Sequence, residues 1–329
     1  MEKRKLGRQG LEVSAIGLGC MGMSFAYGKA DEAQSLRTLE RSLELGINFW
    51  DTAEIYGPFK NEELVGKAMR GKRDKVVLAT KFAWQFGPDG ARIKLDGSRD
   101  NMRRAIEGSL KRLGTDYVDL FYQHRLDPET PIEETVGAMA ELVKEGKVRF
   151  IGLSEVGPVT IQKAHAVHPL TAIQSEYSLW ETAIEKKVLS TLRDLGIGFV
   201  AYSPIGRGFL SGQFRRPEDI PEGDFRRSVP RFQGENFKEN LKLVEAVKKL
   251  ASSKKATPAQ VALAWLLHQG VDLVPIPGTT KVKHLEENAK ACELKFSEED
   301  WESVREILSK FLVAGLRYSG EMMKYVDVP

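Results

Sequence analysis

The 329 residues carry a net charge of only +3, with 42% hydrophobic and 29% charged side chains, which supplies ample core and, without a dense Lys/Arg tract, excludes a nucleic-acid grip. Cys20 and Cys292 stand far apart and outside any CxxC spacing, which argues against a disulfide framework and against a zinc site. The basic start MEKRKLGRQGLEVS has no apolar h-region behind it and no stretch reaches membrane-spanning length, so a cytoplasmic protein without a membrane or nucleic-acid partner is expected.

In chain order, RKLGRQGLEVS reads as two short extended pieces around a Gly-containing turn, a hairpin. Eight apolar runs follow: SAIGLG (14–19), INFWD (47–51), VVLATK (76–81), YVDLFYQH (117–124), VRFIGLS (148–154), TAIQSEY (171–177), GFVAYSP (198–204) and DLVPIPG (272–278). Between most of them lie segments of helical period, such as EAQSLRTLERSLELG, RDNMRRAIEGSLKRLG and IEETVGAMAELVKEG, several ending in a Gly suited to a left-handed C-cap. Strands apolar throughout and separated by helices imply a parallel sheet covered on both faces, and eight repeats is the count at which it closes. The expected fold is a single (β/α)8 barrel over 1–329, with the hairpin capping its bottom and two extra helices, FKENLKLVEAVKKLAS and EEDWESVREILSKFL. The irregular segment 211–237 has the length of a functional lid or a disordered loop, and both it and the tail VAGLRYSGEMMKYVDVP are placed to fold over the top.

Chemistry in such a barrel sits at the C-terminal ends of the strands. The second run ends in Asp51, with Tyr56 in its loop; the third ends in Lys81 and the fourth in His124. Each residue alone has a structural role open to it: a helix cap, a packed phenol, a satisfied imidazole. Together they form a coherent device. Lys81, held by Asp51, places a positive charge beside the Tyr56 hydroxyl and is expected to lower its pKa, and His124 orients a substrate carbonyl whose oxygen gains charge as a hydride arrives.

At this point the sequence resembles the aldo-keto reductase superfamily. Asp51, Tyr56, Lys81 and His124 match its catalytic tetrad in order and strand context, and GLGCMGMS, DYVDLFYQHR, GLSE, QSEYSLW, YSPIGRGFLSG and IPGTTKVKHLEEN extend the match over nearly the whole chain, most like the microbial and plant branch with a YSPLGRGFL loop. The resemblance implies NADP(H), bound without a Rossmann loop. Its contacts would come from Gly19, Cys20 and Met21 after the first strand, from Asp51, from Ser154 and Gln174 at the carboxamide, and from Tyr202 stacked on the nicotinamide. Ser203, Pro204, Ile205, Gly206, Arg207 and Gly208 would meet the pyrophosphate, where glycines admit backbone amides and Arg207 offers a charged fork. Gly278, Thr279, Thr280 and Lys281 open a helix, a natural anion site for the 2'-phosphate. In many members a Lys stands at Gly278 and an Arg at His284; Glu287 and Asn288 match adenine contacts. Glu155 replaces a frequent Asn and is left out of the contacts.

The expected activity is NADPH-dependent reduction of aldehydes or ketones to alcohols by direct hydride transfer, with Tyr56 as proton donor and no metal. Phe25, Tyr56, Trp84, His124 and Trp180 are the candidate substrate pocket, although Phe25, Trp84 and Trp180 have packing under the loops as their other reading. The alternative function is a regulatory module like the potassium-channel β subunits, which keep barrel and cofactor but carry Asn where this chain has His124.

Overall fold

The computed structural model describes residues 1–87 and 89–327. Eight strands form one parallel sheet: β3 (Leu18–Gly19), β4 (Phe49–Asp51), β5 (Val77–Phe82), β8 (Val118–Gln123), β9 (Val148–Ser154), β10 (Ala172–Glu176), β11 (Gly198–Tyr202) and β12 (Leu273–Pro275). The sheet curls until its first and last strands meet, where Gly17 N donates to Pro275 O at 2.9 Å, Gly19 N donates to Pro277 O at 3.3 Å, and Gly19 bridges Gly278. This is a (β/α)8 barrel.

Strand alternation sorts the two apolar layers. Phe49, Ala79, Leu120, Tyr122, Ala172, Val200 and Val274 meet in the interior cluster, while their neighbours Trp50, Leu78, Phe121, Ile173, Phe199 and Leu273 belong to the layer shared with the helices. Tyr122 fits because β9 carries Gly152 beside it: a Cβ there would lie 2.6 Å from the ring. The bottom is closed by the antiparallel hairpin of β1 (Lys3–Leu6) and β2 (Leu11–Ser14), whose Leu6, Leu11 and Val13 join the interior cluster. Arg4 fixes this plug by donating to the carbonyls of Leu267, Gly270 and Leu273.

The outer ring comprises α1 (Glu32–Glu44), α2 (Lys60–Met69), α3 (Arg99–Leu113), α4 (Ile132–Lys144), α5 (Pro158–Val167), α6 (Val188–Leu195), α8 (Pro258–His268) and α9 (Val282–Ala289). The two extra helices are α7 (Gly234–Ser253) and α10 (Glu298–Lys310). A second hairpin, β6 (Trp84–Phe86) with β7 (Arg92–Leu95), stands on the rim after β5 and has no counterpart in the sequence expectation.

The segment expected as a lid is a chain of short 3-10 turns at 217–219, 225–228 and 230–232, anchored by buried Phe214 and Phe232 and by Arg226, which pairs with Asp224 and donates to Arg207 O at 3.0 Å. The tail crosses the mouth, and Asp327 ends its path at the start of α5, accepting from Gly157 N at 3.0 Å and Thr160 Oγ1 at 2.7 Å.

Candidate active site

The parity that puts Phe49, Ala79, Leu120, Ala172 and Val200 in the interior continues along each strand to Asp51, Lys81, His124, Gln174 and Tyr202 at the C-terminal rim. Asp51 does not cap a helix. Its carboxylate instead takes a hydrogen bond from Lys81 Nζ on Oδ1 and one from Gln174 Nε2 on Oδ2 at 2.8 Å. Lys81, fully buried, also donates to Thr52 O at 2.9 Å and lies 3.3 Å from the Tyr56 hydroxyl. The His124 ring meets Tyr56 edge to face at a centroid distance of 5.9 Å, and its Nδ1 is buried without a partner. The four expected tetrad residues therefore converge at one point of the rim.

The loop that carries Tyr56 is held from both ends. Buried Asn61, on the first turn of α2, donates to Cys20 O and Ser24 Oγ, both at 2.8 Å, and accepts from Thr52 Oγ1 at 2.7 Å. Glu54 accepts from Ala83 N at 3.2 Å, and burial raises its carboxyl pKa to about 8. These supports were not identified in the sequence, although the Glu between Asp51 and Tyr56 was in plain view.

One electrostatic expectation is corrected. Burial pushes the Tyr56 phenol well above its ordinary range, and the Asp51 carboxylate pushes the same way; the lysine does not overcome the cost of placing a phenolate in a dry site. Burial and the charges of Arg125 and Lys81 hold His124 well below the usual imidazole value. At neutral pH the site thus presents a protonated phenol and a neutral imidazole, each able to donate one hydrogen bond to a carbonyl oxygen.

Arg207, expected at the pyrophosphate, has partners within the protein. Its buried guanidinium donates to Glu176 Oε2 at 2.9 Å and to Arg317 O at 2.6 Å. It belongs to a cluster of ion pairs beneath the tail: Arg231 pairs with Glu181 at 2.6 Å, and Arg317 grips both oxygens of Glu155 at 3.0 and 2.6 Å. Glu155 has a positive φ of 58° and also accepts from Glu176 N, so its carboxylate is fully engaged. Beside it Tyr318 of the tail shares a 2.8 Å hydrogen bond with the Tyr202 hydroxyl. Arg317 and Tyr318 had no strand end or motif to mark them in the sequence.

Of the candidate pocket aromatics, Phe25 is 39% exposed and its ring lies 6.4 Å from that of Tyr56. Trp84 packs edge-on against Tyr325 of the tail. Trp180 is buried, stacked on Phe209 and edge-on to Phe232, so its packing reading is the one realised. Cys20 is buried in the layer beneath the helices, with its thiol pKa driven up by burial.

The model of the aldo/keto reductase family matches residues 15–309. The chain belongs to that family. It is 47% identical over 333 residues to a probable aldo-keto reductase 1 of Glycine max, covering 99% of this chain and 95% of the relative. The glycerol dehydrogenase of Gluconobacter oxydans superposes with a TM-score of 0.86 at 28% identity, over 95% of this chain and 97% of that one. An aldo-keto reductase of Bacillus halodurans in its holo form gives 0.77 at 29% identity, over 97% and 99%. Members of the family are oxidoreductases that act on carbonyl compounds with a nicotinamide cofactor, and this chain is an oxidoreductase of that kind.

The residues present fit such a cofactor. The Gly206 to Gly208 turn after β11 has positive φ at all three positions, and Gly206 N folds back onto Ser203 O at 2.8 Å. The first turn of α9 has no side-chain cap, and exposed Lys281 and His284 flank it. Asn288 on the same helix is 4% exposed. Glu287 is partly committed, since it accepts from Thr257 Oγ1 at 2.7 Å.

Proposed function

We propose that this aldo-keto reductase reduces aldehydes or ketones to alcohols with NADPH, the proton coming from Tyr56. The observation that carries it is the contact of Lys81 Nζ with both the Asp51 carboxylate and the Tyr56 hydroxyl, with the imidazole of His124 against the same ring. The nicotinamide, when bound, supplies the hydride to the carbonyl carbon.

The chain's own residues do the rest. The raised proton affinity of the Tyr56 phenol keeps its proton in place until the carbonyl oxygen becomes an alkoxide, a much stronger base than a phenolate. Lys81 then stabilises the phenolate left behind; burial lowers the proton affinity of its amine, and the Asp51 carboxylate works against that loss. His124, neutral, donates to the oxygen and fixes its direction without competing as an acid.

Ser154, Gln174, Tyr202, the 203–208 turn, the 278–281 segment and His284, Glu287 and Asn288 are the proposed cofactor contacts. Preference for the 2'-phosphorylated form is supported by the cationic approach to α9 from Lys281. The test is a panel of aldehydes and ketones incubated with the purified protein and NADPH or NADH, followed by loss of reduced-nicotinamide absorbance. Turnover with NADPH is expected. No turnover of any carbonyl, with cofactor still bound, would instead favour a cofactor-sensing module.

A further inference from the structure

Four arginines stand at or beneath the mouth. Arg207, Arg231 and Arg317 are neutralised by Glu176, Glu181 and Glu155. The fourth, Arg125, follows His124 directly at the end of β8 and, among the described residues, has no carboxylate within 4.0 Å. Its Nη1 donates to His124 O at 2.7 Å and reaches Ser154 Oγ at 3.3 Å, while Nη2 reaches the Tyr318 hydroxyl at 3.4 Å. Two of the three contacts are long, and all three acceptors are neutral. Glu155, whose charge acts on this guanidinium, is already held by Arg317 through both oxygens.

A half-buried guanidinium without a counter-ion bears a desolvation cost that neutral acceptors only partly offset. Removing it from the mouth would leave the fold's other ion pairs intact, because none of them uses it. Its charge is felt at the groups that handle the substrate oxygen, since it lowers the proton affinity of both Tyr56 and His124. A planar fork in this position matches a carboxylate.

We propose that Arg125 determines substrate specificity by gripping the carboxylate of an oxo acid whose carbonyl lies on Tyr56 and His124. The guanidinium is folded back onto His124 O and lies between Ser154 and the Tyr318 hydroxyl at the same rim, so the two oxygens would belong to one short molecule. The inference rests on the carbonyl-reductase reading above and names its substrate class. Recognition is one charge-assisted, two-pronged contact at the rim, and it discriminates a free acid from its neutral ester.

The experiment compares kcat/KM for matched pairs with NADPH: pyruvate against methyl pyruvate, and 4-oxobutanoate against methyl 4-oxobutanoate. The parent enzyme is expected to favour the acid of at least one pair by about 10- to 100-fold, the range of a hydrogen bond to a charged group. Arg125→Met should remove the preference mainly through KM of the acid, and Arg125→Lys should restore part of it. In the parent alone, KM for the acid should rise with ionic strength while that for the ester stays level. Equal or better turnover of the esters by the parent overturns the proposal, as does an acid preference that survives in Arg125→Met. A loss of NADPH affinity in Arg125→Met that lowers both members of a pair alike would assign the guanidinium to the cofactor and also overturn it. Failure of the parent to reduce any carbonyl would strike at the carbonyl-reductase reading instead.

Discussion

The ammonium of Lys81 lies 3.3 Å from the Tyr56 hydroxyl while it donates to the Asp51 carboxylate, so one buried cation serves a neutral phenol and an anion together. This shared position makes Tyr56 the group whose loss should be most selective. Tyr56→Phe keeps the ring that contacts His124 and Phe25 but removes the proton donor. Turnover should fall by about 10²- to 10⁴-fold, with NADPH affinity and unfolding midpoint close to the parent; single-turnover kinetics with a fluorescence titration of cofactor provide the check. Near-parental turnover would take Tyr56 out of the proton-donor role.

Lys81→Met leaves the Asp51 carboxylate buried without its cation. Breaking a buried pair from one side costs about 3–5 kcal/mol, so urea unfolding should shift strongly, and the double variant Asp51→Asn, Lys81→Met should recover part of the loss. The phenol also loses a donor that favours its ionised form, so the basic limb of the pH profile for alcohol oxidation should move upward. If the single and double variants were equally unstable, the pair would not be coupled as the geometry states.

Glu54 offers a stability test independent of turnover. Its folded-state pKa of about 8 exceeds the ordinary carboxyl value of 4.5. Below pH 4.5 it is protonated both folded and unfolded and costs nothing; as pH rises towards 8 the unfolded chain ionises and the buried acid resists, so stability falls and then levels off. Glu54→Gln keeps the oxygen that accepts from Ala83 N. Its unfolding midpoint relative to the parent should therefore rise across that window; a pH-independent difference would refute a neutral buried Glu54.

Partial burial of the His284 ring, and then the charges of Lys281 and Lys283, lower its pKa below the usual imidazole value, while Glu287 acts against them. The ring is mostly neutral at pH 7 in the free protein. A 2'-phosphate beside it would raise that value, so its contribution to NADPH preference should appear as pH falls and fade as pH rises through the bound value. Below about pH 6 protonation of the phosphate offsets the gain. The ratio of NADPH to NADH dissociation constants should favour NADPH more at pH 6.5 than at 8, and His284→Arg should flatten the curve. A flat ratio in the parent would remove His284 from the phosphate contacts.

What the sequence made legible follows from which interactions are local. The barrel was readable because strand apolarity and helical period each need only a few consecutive residues, and Asp51, Lys81 and His124 were readable because the fold places strand ends at the chemistry. The β6–β7 hairpin was missed because it is short and its register is interrupted between Gln85 and Phe86. The ion pair of Arg207 with Glu176 was hidden for a different reason. A Gly-rich turn with an arginine looks the same whether the guanidinium faces a phosphate or Glu176, and only the long-range partner decides. The same holds for Tyr56, where burial outweighs a neighbouring charge that the sequence did show.

The clasp of Arg317 on Glu155 joins positions 162 residues apart. During synthesis Glu155, which directly follows β9, is made long before its counter-ion emerges, so a nascent barrel must either leave that end of β9 open to water or bury a bare carboxylate. A chain cut short before Arg317 can never resolve the choice. Closure of that end of β9 is therefore a late, long-range event: it waits on the segment bearing Arg317 and cannot be completed by local folding of the barrel strands alone.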